Sequence, residues 1–191
     1  MERQKAYRGN EMQKTSGVGF GPLHKAAAIL TLALLSSAPT VPAWAAGKHA
    51  PLGYQIMCLR NPGECRGGGA AHVSVTNELM VTLKRVNGQI NRQIKPRRDS
   101  GADVWTVGAT YGDCEDYALT KRRALIRAGV PASSLRIAYV KTRSGEDHAI
   151  LVVKTNGKDL VLDNLSASIR PLSQTGYRVV SMAGANPRSW S

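Results

Sequence analysis

Residues His148 to Asp163 read H-A-I-L-V-V-K-T-N-G-K-D-L-V-L-D, two runs of large apolar and β-branched residues on either side of Asn156-Gly157. Such runs favour extended chain, and Asn-Gly between them is a strong hairpin signal because both residues tolerate positive φ. Two antiparallel strands are therefore expected, over His148 to Thr155 and Asp159 to Asn164, joined by a two-residue turn. Upstream, Leu135 to Val140 has the same character and Ser144-Gly145 supplies a turn, so the three make an antiparallel meander. Tyr177 to Met182, beyond Pro171, is a candidate further strand. Counting outward from the Asn156-Gly157 turn, His148 and Asp163 fall at the same end of the hairpin, with an offset that a bulge or strand twist would absorb.

Helices flank this sheet on the N-terminal side. Leu79, Leu83, Val86, Ile90 and Ile94 recur at steps of three and four, which places them on one face of a helix from Asn77 to Ile94. Thr76 or Asn77 caps it and Pro96 ends it. A polar loop, Lys95 to Gly112, leads to Asp113 and a helix from Cys114 to about Ala128, with Gly129 just past its end and Pro131 beyond. Gly47 to Ala71 is rich in Gly and Pro and lacks a periodic apolar pattern, so it reads as irregular. The order, helices and then strands, is that of an α+β fold.

Lys25 to Leu35 is an apolar stretch too short to span a bilayer, and Ala43-Trp44-Ala45 follows with a small-x-small cleavage pattern. Residues 1–45 thus read as a secretory signal peptide, for which Met12 is the more typical start, leaving 46–76 as an irregular segment and 77–191 as the main domain. Cleavage after Ala45 lowers Lys plus Arg from 26 to 21 and Asp plus Glu from 13 to 11, so the net charge goes from +13 to +10. The cations are scattered, with no tract longer than Lys121-Arg122-Arg123 and no interleaved aromatics, which argues against a nucleic-acid partner. After cleavage no transmembrane segment remains in the sequence. The expected compartment is the periplasm, with secretion as the alternative.

In an oxidising compartment cysteine usage becomes informative. Cys58 and Cys65 bracket Asn61-Pro62-Gly63, a turn that brings them together, and a disulfide is expected; a zinc site lacks a second pair and suitably spaced histidines. Cys114 is left over, a candidate reactive thiol. It opens a helix, where the partial positive charge and free N–H groups favour a thiolate. His148 and Asp163 share the nearby sheet edge, so His148 is a candidate base and Asp163 the group that would orient it. Against this stands the ordinary reading of a helical cysteine as a small hydrophobe. Asp113, Glu115 and Asp116 likewise read equally well as helix caps and dipole partners. Trp105 is either a wall of the acyl pocket or a loop anchor, and packing favours the anchor.

The flanking residues carry a resemblance. Y-G-D-C-E-D-Y-A-L-T-K-R from Tyr111 to Arg122, G-E-D-H-A-I-L-V-V from Gly145 to Val153 and V-L-D-N-L from Val161 to Leu165 are similar to the bacterial transglutaminase-like cysteine proteinase family. The likeness extends upstream through V-N-G-Q-I-N-R-Q-I-K-P, Asp103 and Trp105. It implies a papain- or transglutaminase-like domain whose cysteine helix packs on an antiparallel sheet, with Cys114, His148 and Asp163 catalytic. The family's well-understood members are periplasmic proteases that release biofilm adhesins by cutting at an alanine-alanine-glycine site and that need calcium. The resemblance therefore also implies Asp113 and Glu115 as calcium ligands, a surface adhesin as substrate and an inner-membrane regulatory receptor as partner. The Cys58–Cys65 pair departs from those enzymes and points to another branch, for which an adhesin substrate does not follow from the likeness alone. The expected function is an exported cysteine hydrolase that cleaves a periplasmic or cell-surface protein. A protein transglutaminase or deamidase using the same three residues is the runner-up, and a catalytically silent peptide-binding module is the third reading.

Overall fold

The structure is a computed structural model and describes residues 49–191; the leader read from residues 1–45 lies outside them. Helix α1 (Leu52–Arg60) and a 3₁₀ turn (Pro62–Cys65) are followed by α2 (Asn77–Gln93), the short strands β1 (Lys95–Pro96) and β2 (Tyr111–Gly112), and α3 (Cys114–Arg127). Strands β3 (Leu135–Lys141), β4 (Asp147–Val153), β5 (Leu160–Leu162), β6 (Arg170–Pro171) and β7 (Arg178–Met182) form an antiparallel sheet in the order β6-β5-β4-β3-β7.

The elements follow local chemistry. Thr76 caps α2 through its hydroxyl, which accepts from the Leu79 N–H at 3.2 Å, and the helix buries Leu83, Val86, Asn87 and Ile90. Past the end of α3, Gly129 takes a φ of 88°, which a side chain would resist. Ile137, Leu151, Val153, Leu160 and Leu162 join the helices in the larger core, whereas Ala138, Val140, Ile150, Val152 and Val161 form a second cluster covered by Leu172, Tyr177, Val179 and Met182. With both faces covered, the strands read as continuous apolar runs rather than alternating ones.

Two local expectations change. The segment 46–76, read as irregular, contains the nine-residue α1. It buries Gly53, Tyr54, Met57 and Cys58 while exposing Leu52 and Leu59, so apolar residues lie on both sides and the amphipathic pattern is lost. Packing holds it: Tyr54 lies edge-on between Trp105 and Trp190, at ring-centroid distances of 5.4 and 5.1 Å. The second change is at Asn156-Gly157, where residues 154–159 make a loop rather than a two-residue turn. The Thr155 hydroxyl accepts from the Gly157 N–H and donates to the Lys158 carbonyl, and Lys154 pairs with Asp159. The register centred on that turn is kept, with Val153 opposite Leu160 and Leu151 opposite Leu162.

Cys58 and Cys65 are bonded, with their Cα atoms 5.5 Å apart, and both are buried. The buried Arg122 secures this segment to α3 by donating to the carbonyls of Glu64 at 2.5 Å, Arg66 at 3.1 Å and Leu135 at 3.2 Å. Opening the short loop should lower stability by roughly 2–3 kcal/mol, on chain-entropy grounds. Denaturation of the Cys58→Ser, Cys65→Ser chain measures this loss, and alkylation of the non-reduced protein should label Cys114 alone.

Candidate active site

Helix α3 packs across β4 and so carries its first turn to the start of that strand. There the Ala149 N–H is directed at the Cys114 sulfur, which puts the residue after His148 in contact with the thiol. Leu162 pairs with Leu151, so Asp163 comes level with Ile150, and His148 is its diagonal neighbour two residues on. No bulge is needed. His148 Nε2 meets Asp163 Oδ1 at 2.9 Å, both side chains being buried, and Nδ1 has no hydrogen-bond partner among the described residues. Cys114, His148 and Asp163 are thus brought to one place.

Asp163 is held on several sides. Its Oδ1 also accepts from the Leu165 N–H at 3.0 Å, its Oδ2 accepts from the Tyr177 hydroxyl at 2.5 Å, and its carbonyl accepts from the Asn91 amide at 2.9 Å. Burial acts to raise its pKa, but the bonds from His148, Tyr177 and Leu165 prevail and hold it below the usual carboxylate range. Tyr177 also sets its ring edge-on to His148, with centroids 5.6 Å apart. Sequence reasoning did not find Tyr177, which lies just before a strand with no motif around it.

The acids beside Cys114 form a second constellation. Ligand atoms of Asp99, Asp113 and Glu115 lie within 4.8 Å of one another. Asp113 makes no side-chain cap on α3; instead its Oδ2 accepts from the Asp99 N–H at 3.3 Å, and its Oδ1 is buried without a hydrogen-bond partner. Burial and shared hydrogen bonds with Asp113 and Asp103 push the Glu115 carboxyl up to about 9. Asp116 is not in this group. It accepts from the Thr106 N–H at 2.6 Å, and it packs so tightly on Gly112 that a Cβ there would overlap its carboxylate. Trp105 is a loop anchor, buried against Tyr54 and donating from Nε1 to Asp103 at 2.8 Å. Asp99 went unnoticed in the sequence because only the fold of the 95–112 loop returns it to Asp113.

The Cys114 thiol donates to Glu115 at 3.1 Å, and burial first, then the Glu115 carboxylate, raise its pKa well above the ordinary value, with only the Ala149 N–H opposing. A cleft of about 660 Å³ opens over this point, lined among others by Arg97, Asp99, Asp113, Cys114, His148 and Leu165.

A helix that begins with a cysteine and packs on an antiparallel sheet that supplies histidine and aspartate is a transglutaminase-like fold. The family model of the bacterial transglutaminase-like cysteine proteinases matches residues 45–191, and the chain belongs to that family. Among solved structures it is similar to Legionella pneumophila LapG in its calcium-bound form, at 28% identity and a TM-score of 0.51 over 56% of this chain and 66% of that one. The EGTA-treated form of the same protein matches at 26% identity and 0.50, over 55% of this chain and 62% of that one. The chain thus spans slightly less than two thirds of the length of those proteins. No curated protein matches it in sequence. Among the described residues no helix is long and apolar enough to cross a membrane.

Because Asp163 is depressed when folded, the stability it contributes is full above its unfolded pKa and falls as pH drops through the folded value. Asp163→Asn should therefore flatten the stability curve on its acid side. Tyr177→Phe, which removes a hydrogen bond to a charged group, should cost about 1.5–3 kcal/mol in denaturant unfolding.

Proposed function

We propose that the protein is an exported cysteine peptidase in which Cys114 is the nucleophile, His148 the base and Asp163 the group that orients the histidine. The observation that carries this reading is the junction of α3 and β4, where the Ala149 N–H reaches the Cys114 sulfur and His148 is anchored through Nε2 on Asp163. That anchor fixes the tautomer in which Nε2 carries the proton and Nδ1 is left to receive one. Proton transfer from Cys114 to Nδ1 gives a thiolate and an imidazolium. The thiolate attacks a peptide carbonyl, the imidazolium protonates the leaving amine, and the thioester is then cleaved by water deprotonated by His148. The open cleft suits an extended peptide segment, so the substrate is a protein of the periplasm or cell surface, with adhesins the class suggested by the family likeness.

Calcium fits the acidic group. The ion prefers carboxylate and carbonyl oxygens, and the clustered acids with an unpartnered Asp113 Oδ1 supply donors of that kind. Asp99, Asp113 and Glu115 would hold it, and its charge would offset the acids that oppose ionisation of Cys114. The calcium-bound form of the similar LapG supports this assignment.

Cys114→Ala and His148→Ala should each abolish turnover with the fold intact, whereas Asp163→Asn should retain a residue, with kcat down by roughly 10³–10⁴-fold. Comparing the exported proteomes of cells carrying wild-type and Cys114→Ala protein would reveal the substrate, and equal processing in both would refute the reading. EGTA should stop turnover reversibly. In calorimetry the Asp113→Ala, Glu115→Ala chain should no longer take up calcium.

A further inference from the structure

Leu165 leaves 66% of its surface open to solvent. Single exposed leucines are ordinary on protein surfaces, but this one lines the cleft together with Cys114 and His148. Around it the cleft is bordered by charged and polar side chains such as Arg97, Arg98, Thr142 and Asp147, so Leu165 is an aliphatic patch in a polar surround. Its backbone is tied down on both sides. The Leu165 N–H donates to Asp163 Oδ1 at 3.0 Å, the same oxygen that His148 Nε2 meets at 2.9 Å. Before it in the chain, the Asp163 carbonyl accepts from the Asn91 amide at 2.9 Å; after it, the carbonyls of Ser166 and Ala167 accept from the Asn87 amide at 3.0 and 3.2 Å. Asn87 lies on the buried face of α2 with Val86 and Ile90, a position where an apolar residue ordinarily packs, and its amide is spent on holding this turn. The leucine is thus fixed in place by the carboxylate that orients the histidine and by two side chains of α2.

We propose that Leu165 is a specificity-determining residue, a fixed apolar wall of the cleft that takes an apolar side chain of the substrate next to the bond Cys114 attacks. An apolar group entering there removes its own surface and that of Leu165 from water together, a gain the charged walls do not offer. Because the turn is already ordered by its hydrogen bonds, little conformational freedom is left to lose on contact. A charged side chain in the same place would lose hydration against the leucine and gain no partner from it.

This inference rests on the reading of Cys114 as a reactive thiol at the head of a substrate cleft, and the test separates the two. Cys114 in the full chain with calcium is alkylated at one pH by N-ethylmaleimide and by N-heptylmaleimide, whose longer chain mimics an apolar side chain. The ratio of the two rates is compared with that of free N-acetylcysteine. Both reagents attack the same thiolate, so its ionisation cancels in the ratio. The wild-type ratio should exceed the model value by about tenfold, since a fully buried methylene is worth about fourfold and the added chain is only partly covered. Leu165→Ser should bring the ratio to within about twofold of the model thiol, whereas Leu165→Met, which keeps an apolar wall, should preserve most of the gain. Leu59→Ser, which removes a similarly exposed leucine from α1, should leave the ratio as it is. A wild-type ratio equal to that of the model thiol overturns the proposal, and so does a ratio that is unchanged in a folded Leu165→Ser chain or that falls as far in Leu59→Ser. If neither reagent labels Cys114, the reactive-thiol reading fails and this inference falls with it. Should Leu165→Ser not fold, nuclear Overhauser contacts between the Leu165 methyls and the heptyl chain of the alkylated wild-type protein decide the matter, and their absence overturns the proposal equally.

Discussion

The first turn of α3 meets the start of β4, where the Ala149 N–H acts on the Cys114 thiol and Cys114 and His148 line one cleft. This junction exists because α3 lies across β4, with Tyr117, Ala118, Leu119 and Leu125 buried on one side and Leu151 and Val153 on the other. A helix N-terminus and a strand start are thereby held together by a core that excludes water, and Cys114 and His148 sit on rigid elements rather than on loops. Arg122 reinforces the same helix from behind, with a guanidinium spread over carbonyls of the disulfide segment and of the α3–β3 connection.

That rigid junction carries an electrostatic burden. Burial and the adjacent Glu115 hold the thiol protonated, and Glu115 is itself pushed up to about 9, first by its own burial and then by hydrogen bonds shared with Asp113 and Asp103. An acid cluster of this kind costs stability unless a positive charge meets it. His148 and Asp163 show the opposite balance: burial penalises the carboxylate, yet the bonds from His148, Tyr177 and Leu165 more than offset it. Two buried carboxyl groups therefore differ in protonation because one is surrounded by donors and the other by acids.

Much of this arrangement was legible in the sequence because it is local. The step pattern of Leu79, Leu83, Val86 and Ile90 gave α2 to within a residue, and the end of the helix that opens at Cys114 followed from Gly129 and Pro131. The register of β4 against β5 was also readable, since Asn156-Gly157 stands at its centre even though side chains of Thr155 and Asp159 build a longer loop there. What was not legible depends on long-range return of the chain. Tyr177 reaches Asp163 only because the final strand pairs with β3, and Asp99 reaches Asp113 only through the path of the 95–112 loop. α1 escaped notice for a different reason, its exposed Leu52 and Leu59 masking the buried face.

The N-terminal segment has a consequence at the cleft that its sequence concealed. Gly53 comes so close to Trp105 that a Cβ there would overlap the indole, and Tyr54 stacks edge-on against the same ring. Trp105 in turn donates to Asp103, whose carboxylate shares a hydrogen bond with Glu115. A continuous set of contacts therefore runs from the Cys58–Cys65 disulfide through α1 and the indole to the acids beside Cys114. Because interiors pack as densely as organic crystals, a displacement of α1 cannot be absorbed by free space and must move the indole. The loop carrying Asp99 and Asp103 has no regular structure of its own, so its position is set by such contacts at its ends: Trp105 on one side, and on the other the pairing of Lys95–Pro96 with Tyr111–Gly112. The disulfide thus contributes to the site as a buttress, fixing the geometry of acids that lie far from it in sequence.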